Sequence, residues 1–497
     1  MSQLFAKKSL EKLVNQVDGK HSMKRTLGAW GLVALGIGAI IGAGLFVRTA
    51  AAAGQHAGNA VTISFIIAGI GCAFAGLCYA EFASMIPIAG SAYTYAYATM
   101  GEVIAWIIGW ALILEYALGA ATVSIAWSEY LNNLLGGSIP HQWCHSPWDA
   151  EPGIMNLPAM CILCLLTLIL MRGTKESAIF NAIIVFIKVA IVLVFVFIGW
   201  GFITDAFHTP YIMDPSLLEH GGKIPIGINP DGTTKIHDYT DFWNHGWGGI
   251  FRGAAVVFFA FIGFDAVSTA AQEAKNPKRD MPIGILGSLA ICTILYILFA
   301  HVLTGVAPFI DFIKPEAGKE ASVTYAIKTY MHGYEWLGDW INVAILAGFS
   351  SVILVMLMGQ SRVFFSMSND GLLPNIFSHL HPKFRTPYKS NLILLVFVGL
   401  FGGFLPGSLA GDLTSFGTLL AFVLVCIGVI IMRKTDPHIK RAFKTPFVPL
   451  VPILGMVVCL AMIFSLDGFT LRTAFSWMAF GLIIYFLYGM KKSKIKE

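Results

Sequence analysis

Long apolar runs separated by short polar segments recur along the whole chain of 497 residues. A helix needs about 20 apolar residues to cross the hydrocarbon of a bilayer. The runs that approach this length predict an all-α polytopic membrane protein with 12 transmembrane helices. They lie near 29–53, 60–85, 101–130, 156–172, 177–202, 247–272, 281–308, 338–366, 390–405, 412–433, 448–467 and 473–490.

The composition supports a membrane protein and excludes other classes. Charged residues make up 12% of the chain, against roughly 25% in ordinary soluble domains. Hydrophobic residues make up 56%, and the mean hydropathy is +0.72. A disordered chain, a collagen-like fibre and a nucleic-acid-binding protein are therefore excluded, and the lipid bilayer is the predicted surrounding.

The distribution of positive charge predicts the orientation. With twelve spans both termini share one side, and 24 of the 33 Lys and Arg residues fall on that side. Six fall on the opposite side, and Arg48, Lys188 and Arg252 lie within or beside spans. By the positive-inside rule, the chain is a multi-pass protein of the cell (plasma or inner) membrane with cytoplasmic N- and C-termini.

Two segments outside the spans carry local structure signals. Leu10, Leu13, Val14 and Val17 have helical spacing beside lysines, which is typical of an amphipathic helix on the membrane surface or of a solvated tail. In the longest external loop, alternating residues on either side of 231–232 (Asp-Gly) predict a small β-hairpin.

Glycines interrupt the first and the sixth span. Gly36, Gly38, Gly42 and Gly44 fall within nine residues of the first span, and the sixth carries a glycine beside a carboxylate in 258–269. Close packing of small residues is one explanation. However, the two spans hold matching places in two five-helix halves, a pattern typical of discontinuous helices at a transporter binding site. Broken helices expose N–H and C=O groups that suit the carboxylate and ammonium of an α-amino acid.

Four groups of residues at these places resemble the amino acid–polyamine–organocation (APC) superfamily, and most closely its cationic amino acid transporter family. The resemblance covers essentially the whole chain. Its motifs are GAIIGAGLF at 38–46, YAEF at 79–82 with PIAGSAY at 87–93, FIGFD at 261–265 with EAKNP at 273–277, and DGLLP at 370–374 with FRTP at 384–387.

The resemblance implies a LeuT-like fold: a 5+5 inverted-repeat core with discontinuous helices 1 and 6, plus two peripheral helices. The corresponding division of the chain has six parts. They are a cytoplasmic amphipathic N-terminal segment (1–28), a first repeat (29–202), an extracellular loop (203–246), a second repeat (247–433), the last two spans (434–490) and a basic cytoplasmic tail (491–497).

The resemblance also implies a substrate site between helices one, three, six and eight. The backbone around Gly42, Ala43 and Gly44 would hold the substrate carboxylate. Carbonyl groups near Ile40 and in the sixth span would receive the ammonium, and Phe259 would gate the pocket. The predicted substrate-binding residues of the two broken spans are Ile40, Ile41, Gly42, Ala43, Gly44, Phe259, Ala260, Ile262 and Asp265.

Glu115 and Met356 complete the predicted substrate site. Glu115 is a deeply placed carboxylate of the third span and, with Asp265, a candidate for contacting a cationic side chain. Met356 would face the pocket and limit substrate size, although methionine in a transmembrane helix commonly serves packing alone.

Lys188 lies in the middle of the fifth span without a polar neighbour in sequence. A charged lysine at bilayer depth costs about 2.5–3.5 kcal/mol, so such residues usually have a function. Relatives that couple transport to protons carry a lysine where sodium-coupled ones bind sodium. The resemblance places Lys188 against the backbone of Gly38 and Ile41 and a hydroxyl of the eighth span, from Ser350 or Ser351. An ion pair between Lys188 and Glu115 or Asp265 is the structural alternative.

These residues predict a secondary active transporter of α-amino acids that works by alternating access, is proton-coupled and sodium-independent, and has neutral or broad specificity. A cationic amino acid transporter or an exchanger is the alternative. The chain lacks common catalytic and phosphate-binding motifs and filter-like repeats, so an enzyme or a channel is disfavoured. No cofactor or metal is predicted. The predicted partners are the amino acid, the proton and the bilayer, with a small accessory membrane protein of unknown identity as a further candidate.

Overall fold

The structure is a computed structural model. It describes residues 4–8, 25–42, 44–86, 88, 90–149, 152–228, 234–313, 322–464, 466 and 468–494. Three predicted features lie outside these residues: the amphipathic helix around 10–17, the turn at 231–232, and Ala43.

All twelve predicted apolar runs are helical in the structure. Eight helical segments of the described chain are long and apolar enough to cross a membrane, and four further apolar helices are 10–17 residues long. The chain is therefore a polytopic helical membrane protein. The number of crossings and the inverted repeat remain predictions.

The described chain up to residue 200 contains helices α1 to α8 and three π-helical turns, one of them at Ala53–Ala57. One of these helices, at 92–99, lies between two predicted runs. The helices are α1 (Ala29–Ile40), α2 (Thr49–Ala52), α3 (Val61–Met85), α4 (Ala92–Thr99), α5 (Glu102–Ile113), α6 (Gly119–Leu134), α7 (Leu157–Arg172) and α8 (Thr174–Trp200). The π-turn Gly44–Arg48 precedes α2, and the π-turn Leu114–Leu118 joins α5 to α6.

The remaining runs form the helices of the second half and the C-terminal pair. They are α9 (Asp205–His208), α10 (Gly246–Phe258), α11 (Ala266–Thr269), α12 (Pro277–Val306), α13 (Ser322–Tyr330), α14 (Trp336–Asn369), α15 (Tyr388–Phe404), α16 (Gly407–Thr435), α17 (Leu450–Phe464), α18 (Gly468–Ile484) and α19 (Met490–Lys492). Of these, α9, α13 and α19 are short helices outside the predicted runs.

Helices from the two halves pack against each other. The first-half helix α1 contacts α12 and α14 of the second half, and α10 packs against α3. Small residues permit this closeness: a side chain at Gly36 would collide with Ser288 of α12, 2.3 Å from its Oγ. Helix α1 therefore lies deep within the bundle, with Leu32 and Ile41 fully buried.

The last two long helices lie at the periphery. Helix α17 packs on α16 and α3, and α18 packs on α5 and α16. Stacked indoles join α18 to α5, because the rings of Trp110 and Trp477 lie 5.0 Å apart. Helix α17 also faces the sixth span, because Met462 lines one cavity together with Arg252 and Phe259.

A two-stranded antiparallel hairpin marks one end of the bundle. Strand β1 (Lys223–Ile228) pairs with β2 (Thr234–Asp238), as the sequence predicts. His237 in β2 contacts the Gln55 carbonyl at 2.9 Å, and His56 contacts Asn244 at 2.9 Å. The hairpin therefore lies over the end of the first span, and this end of the molecule is the hairpin side below.

Candidate functional site

The first span breaks where the glycines cluster. Helix α1 ends at Ile40, and Ile41 has an extended backbone with ψ of 106°. Helical structure resumes only at Gly44, with the π-turn that ends at Arg48. Because glycine costs about 1 kcal/mol in a helix interior, the cluster lowers the cost of unwinding here.

The sixth span breaks at the matching place. Helix α10 ends at Phe258, and a single 3-10 turn, Phe259–Phe261, follows it. Ile262 is extended with ψ of 133°, and Gly263 has φ of +114°, a conformation that side chains other than glycine rarely adopt. The chain turns back into helix at α11.

The two breaks pack directly on each other through backbone atoms. A methyl group at Gly44 would lie 2.2 Å from the Cα atom of Ala260, and one at Gly263 would lie 2.9 Å from the carbonyl oxygen of Ala39. Only glycine leaves room for this contact. The first and sixth spans therefore meet at the level where both are unwound.

Tyr296 of α12 links the two breaks. Its hydroxyl lies 2.9 Å from the Ile40 carbonyl oxygen and 2.8 Å from the Ala260 carbonyl oxygen, and it is fully buried. Carbonyl groups at helix ends lack intrahelical partners, and this hydroxyl lies within hydrogen-bond distance of one from each broken helix, which share its single hydrogen. Sequence reasoning missed Tyr296, because nothing near it in sequence marks its role.

A small cavity lies between the breaks. Its volume is about 20 Å³, room for one or two water molecules. A bound amino acid therefore requires the surrounding side chains to move outward. The cavity is lined by Ala39, Ile40, Gly42, Gly44, Gly119, Val123, Phe259, Ile262, Val352, Met356 and Thr414.

Six of the predicted substrate-binding residues line this cavity. They are Ile40, Gly42, Gly44, Phe259, Ile262 and Met356. The five other lining residues were not predicted, because small, apolar and threonine residues of transmembrane helices give no sequence signal of facing a pocket. They are Ala39, Gly119, Val123, Val352 and Thr414. The lining combines backbone groups of the two breaks with largely apolar side chains.

Two other predicted residues do not line the cavity. The Ile41 carbonyl accepts a hydrogen bond from Lys188, and Ala260 packs against Gly44 and Tyr296. Both support the unwound turns without forming the cavity wall.

Lys188 reaches the first break from α8. Its Nζ donates hydrogen bonds to the Gly38 carbonyl at 3.0 Å, the Ile41 carbonyl at 2.8 Å and Ser351 Oγ at 2.9 Å. Ser351 Oγ in turn donates to the Gly38 carbonyl at 2.5 Å. Lys188 is fully buried, and its three N–H donors match these three acceptors.

The predicted alternatives for Lys188 are settled by these contacts. Ser350 donates to the Leu346 carbonyl of its own helix at 2.9 Å, so Ser351 supplies the hydroxyl. The ion pairs found in the described part of the chain do not include Lys188 with Glu115 or Asp265. The structural ion-pair interpretation is therefore wrong.

Glu115 and Asp265 lie in a separate buried cluster. Tyr116 donates to Asp265 Oδ2 at 2.7 Å, and the Glu115 and Asp265 carboxyl groups interact with each other. All three residues are fully buried. Neither carboxylate lines the cavity, in contrast to the sequence prediction. Asp265 instead accepts the bond from Tyr116, and Glu115 is buried next to it.

The side opposite the hairpin is closed by the two broken spans. Backbone N–H groups of Thr26 and Leu27 both donate to the Glu273 carbonyl at 2.9 Å, and Lys275 N–H donates to the Leu27 carbonyl at 2.8 Å. The Glu273 side chain forms a buried ion pair with Arg362 of α14. The start of α1 is therefore attached to the exit of the sixth span and, through it, to α14.

Comparison with known proteins identifies the family of this chain. The family model described as amino acid permease matches residues 27–488. The chain belongs to this family, within the APC superfamily. Its relatives include the branched-chain amino acid permease BcaP of Bacillus subtilis (strain 168), 42% identical over 99% of both chains.

Two further relatives show the breadth of the family. The methylthioribose transporter of the same Bacillus strain is 41% identical over 100% of both chains. Cationic amino acid transporter 4, vacuolar, of Arabidopsis thaliana is 33% identical over 84% of this chain and 65% of its own length. These names identify transporters and no enzyme, so this permease belongs with membrane carriers.

Proposed function

We propose that this permease moves neutral α-amino acids across the cell membrane by alternating access, driven by protons and independent of sodium. The observation that carries the proposal is the position of Lys188. Its ammonium occupies a site made of two carbonyl oxygens and one hydroxyl, directly beside the first break.

The hydrogen-bond count connects protonation to conformation. A protonated Lys188 has a donor for each of its three acceptors, whereas a neutral amine has only two N–H donors. Loss of the proton therefore leaves Gly38, Ile41 or Ser351 with a weaker contact. Gly38 and Ile41 flank the end of α1, so the proton state of Lys188 acts on the helix end next to Gly42.

The same geometry supports sodium independence. Carbonyl and hydroxyl oxygens are ligands that hard cations prefer. Here the ammonium lies within 3.0 Å of all three oxygens. A second cation at that distance would meet strong repulsion in this buried place.

Apolar cavity walls support neutral substrates. Val123, Val352, Met356 and Ile262 surround the backbone groups of the breaks, and neither Glu115 nor Asp265 lines this cavity. The branched-chain name of one relative agrees with such a pocket. The lining of the described cavity offers no carboxylate to a guanidinium or an ammonium side chain.

The orientation is part of the proposal. The positive-inside bias places both termini in the cytoplasm and the hairpin side outside the cell. Cysteine-accessibility labelling in intact cells tests this. A cysteine replacing Lys223 in the hairpin should react with an impermeant reagent, and one replacing Lys434 should not.

The deciding experiment is a radiolabelled uptake panel in proteoliposomes. It should include branched-chain, small neutral and cationic amino acids and methylthioribose, each with and without an inward proton gradient and with sodium replaced by an impermeant cation. We expect accumulation of neutral amino acids that follows the proton gradient and ignores sodium. Uptake that requires sodium, or of methylthioribose alone, would refute the proposal.

A further inference from the structure

A second, larger cavity lies directly above the gate residue on the hairpin side. Its volume is about 210 Å³, and it shares Phe259 with the central cavity. Its walls also include Arg48, Arg252 and Ser415. The ring of Phe259 therefore separates this vestibule from the central cavity.

The charged residues that line the vestibule are both arginines. Arg48 ends the π-turn of the first span, and its guanidinium carbon lies 5.2 Å from the centre of the Phe259 ring. This is a cation–π contact, which holds the ring across the passage. Arg48 is thus a positioning residue for the gate.

Arg252 lies on α10, seven residues before Phe259. Residues at this spacing share a helix face and are separated by about 10 Å along the axis. Arg252 is exposed, whereas Phe259 is half-buried. Both residues line the vestibule, so a molecule bound there can touch both.

The chemistry of this pair fits a zwitterion with an apolar side chain. A guanidinium group binds a carboxylate through two parallel hydrogen bonds in one plane, and these bonds are stronger than hydrogen bonds between neutral groups. The Phe259 ring offers an apolar surface to the side chain of the amino acid. A cationic side chain would instead meet the positive charge of the arginines.

We propose that Arg252 binds the carboxylate of the incoming amino acid in this vestibule before Phe259 opens, and that the site favours neutral over cationic amino acids. The inference rests on the proposed function and adds to it a first binding step with its own selectivity. The central cavity then receives a molecule already oriented with its side chain toward the gate.

The test compares uptake by the wild-type protein, Arg252→Gln, Arg252→Glu and the control Lys223→Gln. Lys223 is a cation of the same side whose side chain is 59% exposed. We expect Arg252→Gln to raise the leucine concentration for half-maximal uptake about tenfold, the scale of a charge-assisted hydrogen bond, with little change in maximal rate. Arg252→Glu should lower the ratio of leucine uptake to lysine uptake more than Arg252→Gln does. The control Lys223→Gln should change neither the half-maximal leucine concentration nor this ratio.

Two outcomes would overturn the inference. One is an Arg252→Gln protein whose half-maximal concentrations for leucine and lysine both stay within twofold of wild type. The other is an effect seen with anionic vesicles and absent from vesicles of neutral lipid alone, which would assign Arg252 to a lipid headgroup. Failure of the wild type to carry any amino acid would refute the proposed function instead, so the two failures are distinguishable.

Discussion

The Lys188 ammonium lies 2.8 Å from the carbonyl oxygen of Ile41, the residue that directly follows the end of the first broken helix. The contact joins the only charged group of the apolar run 178–200 to a carbonyl that has no partner within its own helix. The lysine that we propose to carry the proton is therefore in direct contact with the first break.

Replacing Lys188 should uncouple amino acid transport from the proton gradient. Lys188→Ala leaves the buried Ile41 carbonyl without its lysine donor, whereas the Gly38 carbonyl keeps the bond from Ser351. It should lower the free energy of unfolding by about 1–3 kcal/mol. Lys188→Gln keeps two N–H donors and has no titratable proton. We expect it to fold and to exchange amino acid across the membrane, but not to accumulate it under a proton gradient.

Counterflow and gradient-driven uptake in the same proteoliposomes measure the two activities of Lys188→Gln. Accumulation by this variant at the wild-type level under a proton gradient would contradict the role of Lys188.

The adjacent serines of α14 provide a matched pair. Ser351 bonds both Lys188 and the Gly38 carbonyl, whereas Ser350 bonds only its own helix. Ser351→Ala should lower the free energy of unfolding by about 1 kcal/mol and reduce proton-driven uptake, because one of the three lysine contacts is lost. Ser350→Ala should behave like wild type in both thermal unfolding and uptake. Equal effects of the two substitutions would be evidence against the lysine site.

The contact between the breaks predicts a steric limit at Gly44. The Cβ atom of Gly44→Ala would lie 2.2 Å from the Ala260 Cα, and neither backbone can shift without moving its whole break. We expect loss of transport and a lower yield of folded protein. Gly399→Ala is the control, since its side chain meets nothing within 4 Å and alanine favours the helix by up to about 1 kcal/mol. Size-exclusion profiles and uptake rates compare the two, and normal uptake by Gly44→Ala would show that the breaks do not touch.

Met356 should limit the size of the substrate. Met356 and Gly119 both line the cavity, and the Met356 sulfur lies 3.8 Å from the place that a Cβ atom added to Gly119 would take. Met356→Ala should shift the uptake preference toward larger side chains, with about a tenfold change in the phenylalanine-to-alanine ratio, the scale of a few methylene groups in a pocket. Met358→Ala removes a buried methionine of the same helix that does not line the cavity, and its ratio should stay unchanged. A shift of the ratio in both variants would indicate loosened packing instead.

Much of this architecture can be predicted from the sequence. Apolar runs gave the helices, because membrane-depth backbone must satisfy its own hydrogen bonds. A glycine cluster located the first break, and a single glycine beside a carboxylate located the second, because glycine weakens a helix wherever it falls. Lys188 was recognisable alone, since an isolated charge in an apolar run needs a partner from elsewhere in the chain.

The contact partners of individual side chains could not be predicted from the sequence in the same way. Tyr296 lies in the middle of an ordinary apolar helix, and its hydroxyl matters only because two breaks from distant parts of the chain end beside it. Glu115 and Asp265 were candidates for the substrate site on depth alone. Their mutual contact and the bond from Tyr116 exist only in the packed bundle.

The sequence by itself determined that the chain crosses a membrane, where two of its helices break and which charge lies at bilayer depth, because hydropathy, glycine content and isolated charge are local properties. Only the tertiary structure decided that Ser351 and not Ser350 meets Lys188, that Gly44 touches Ala260, and that two buried carboxylates lie outside the cavity. Those facts depend on the rotation and height of each helix in the bundle, which are fixed by packing between segments hundreds of residues apart.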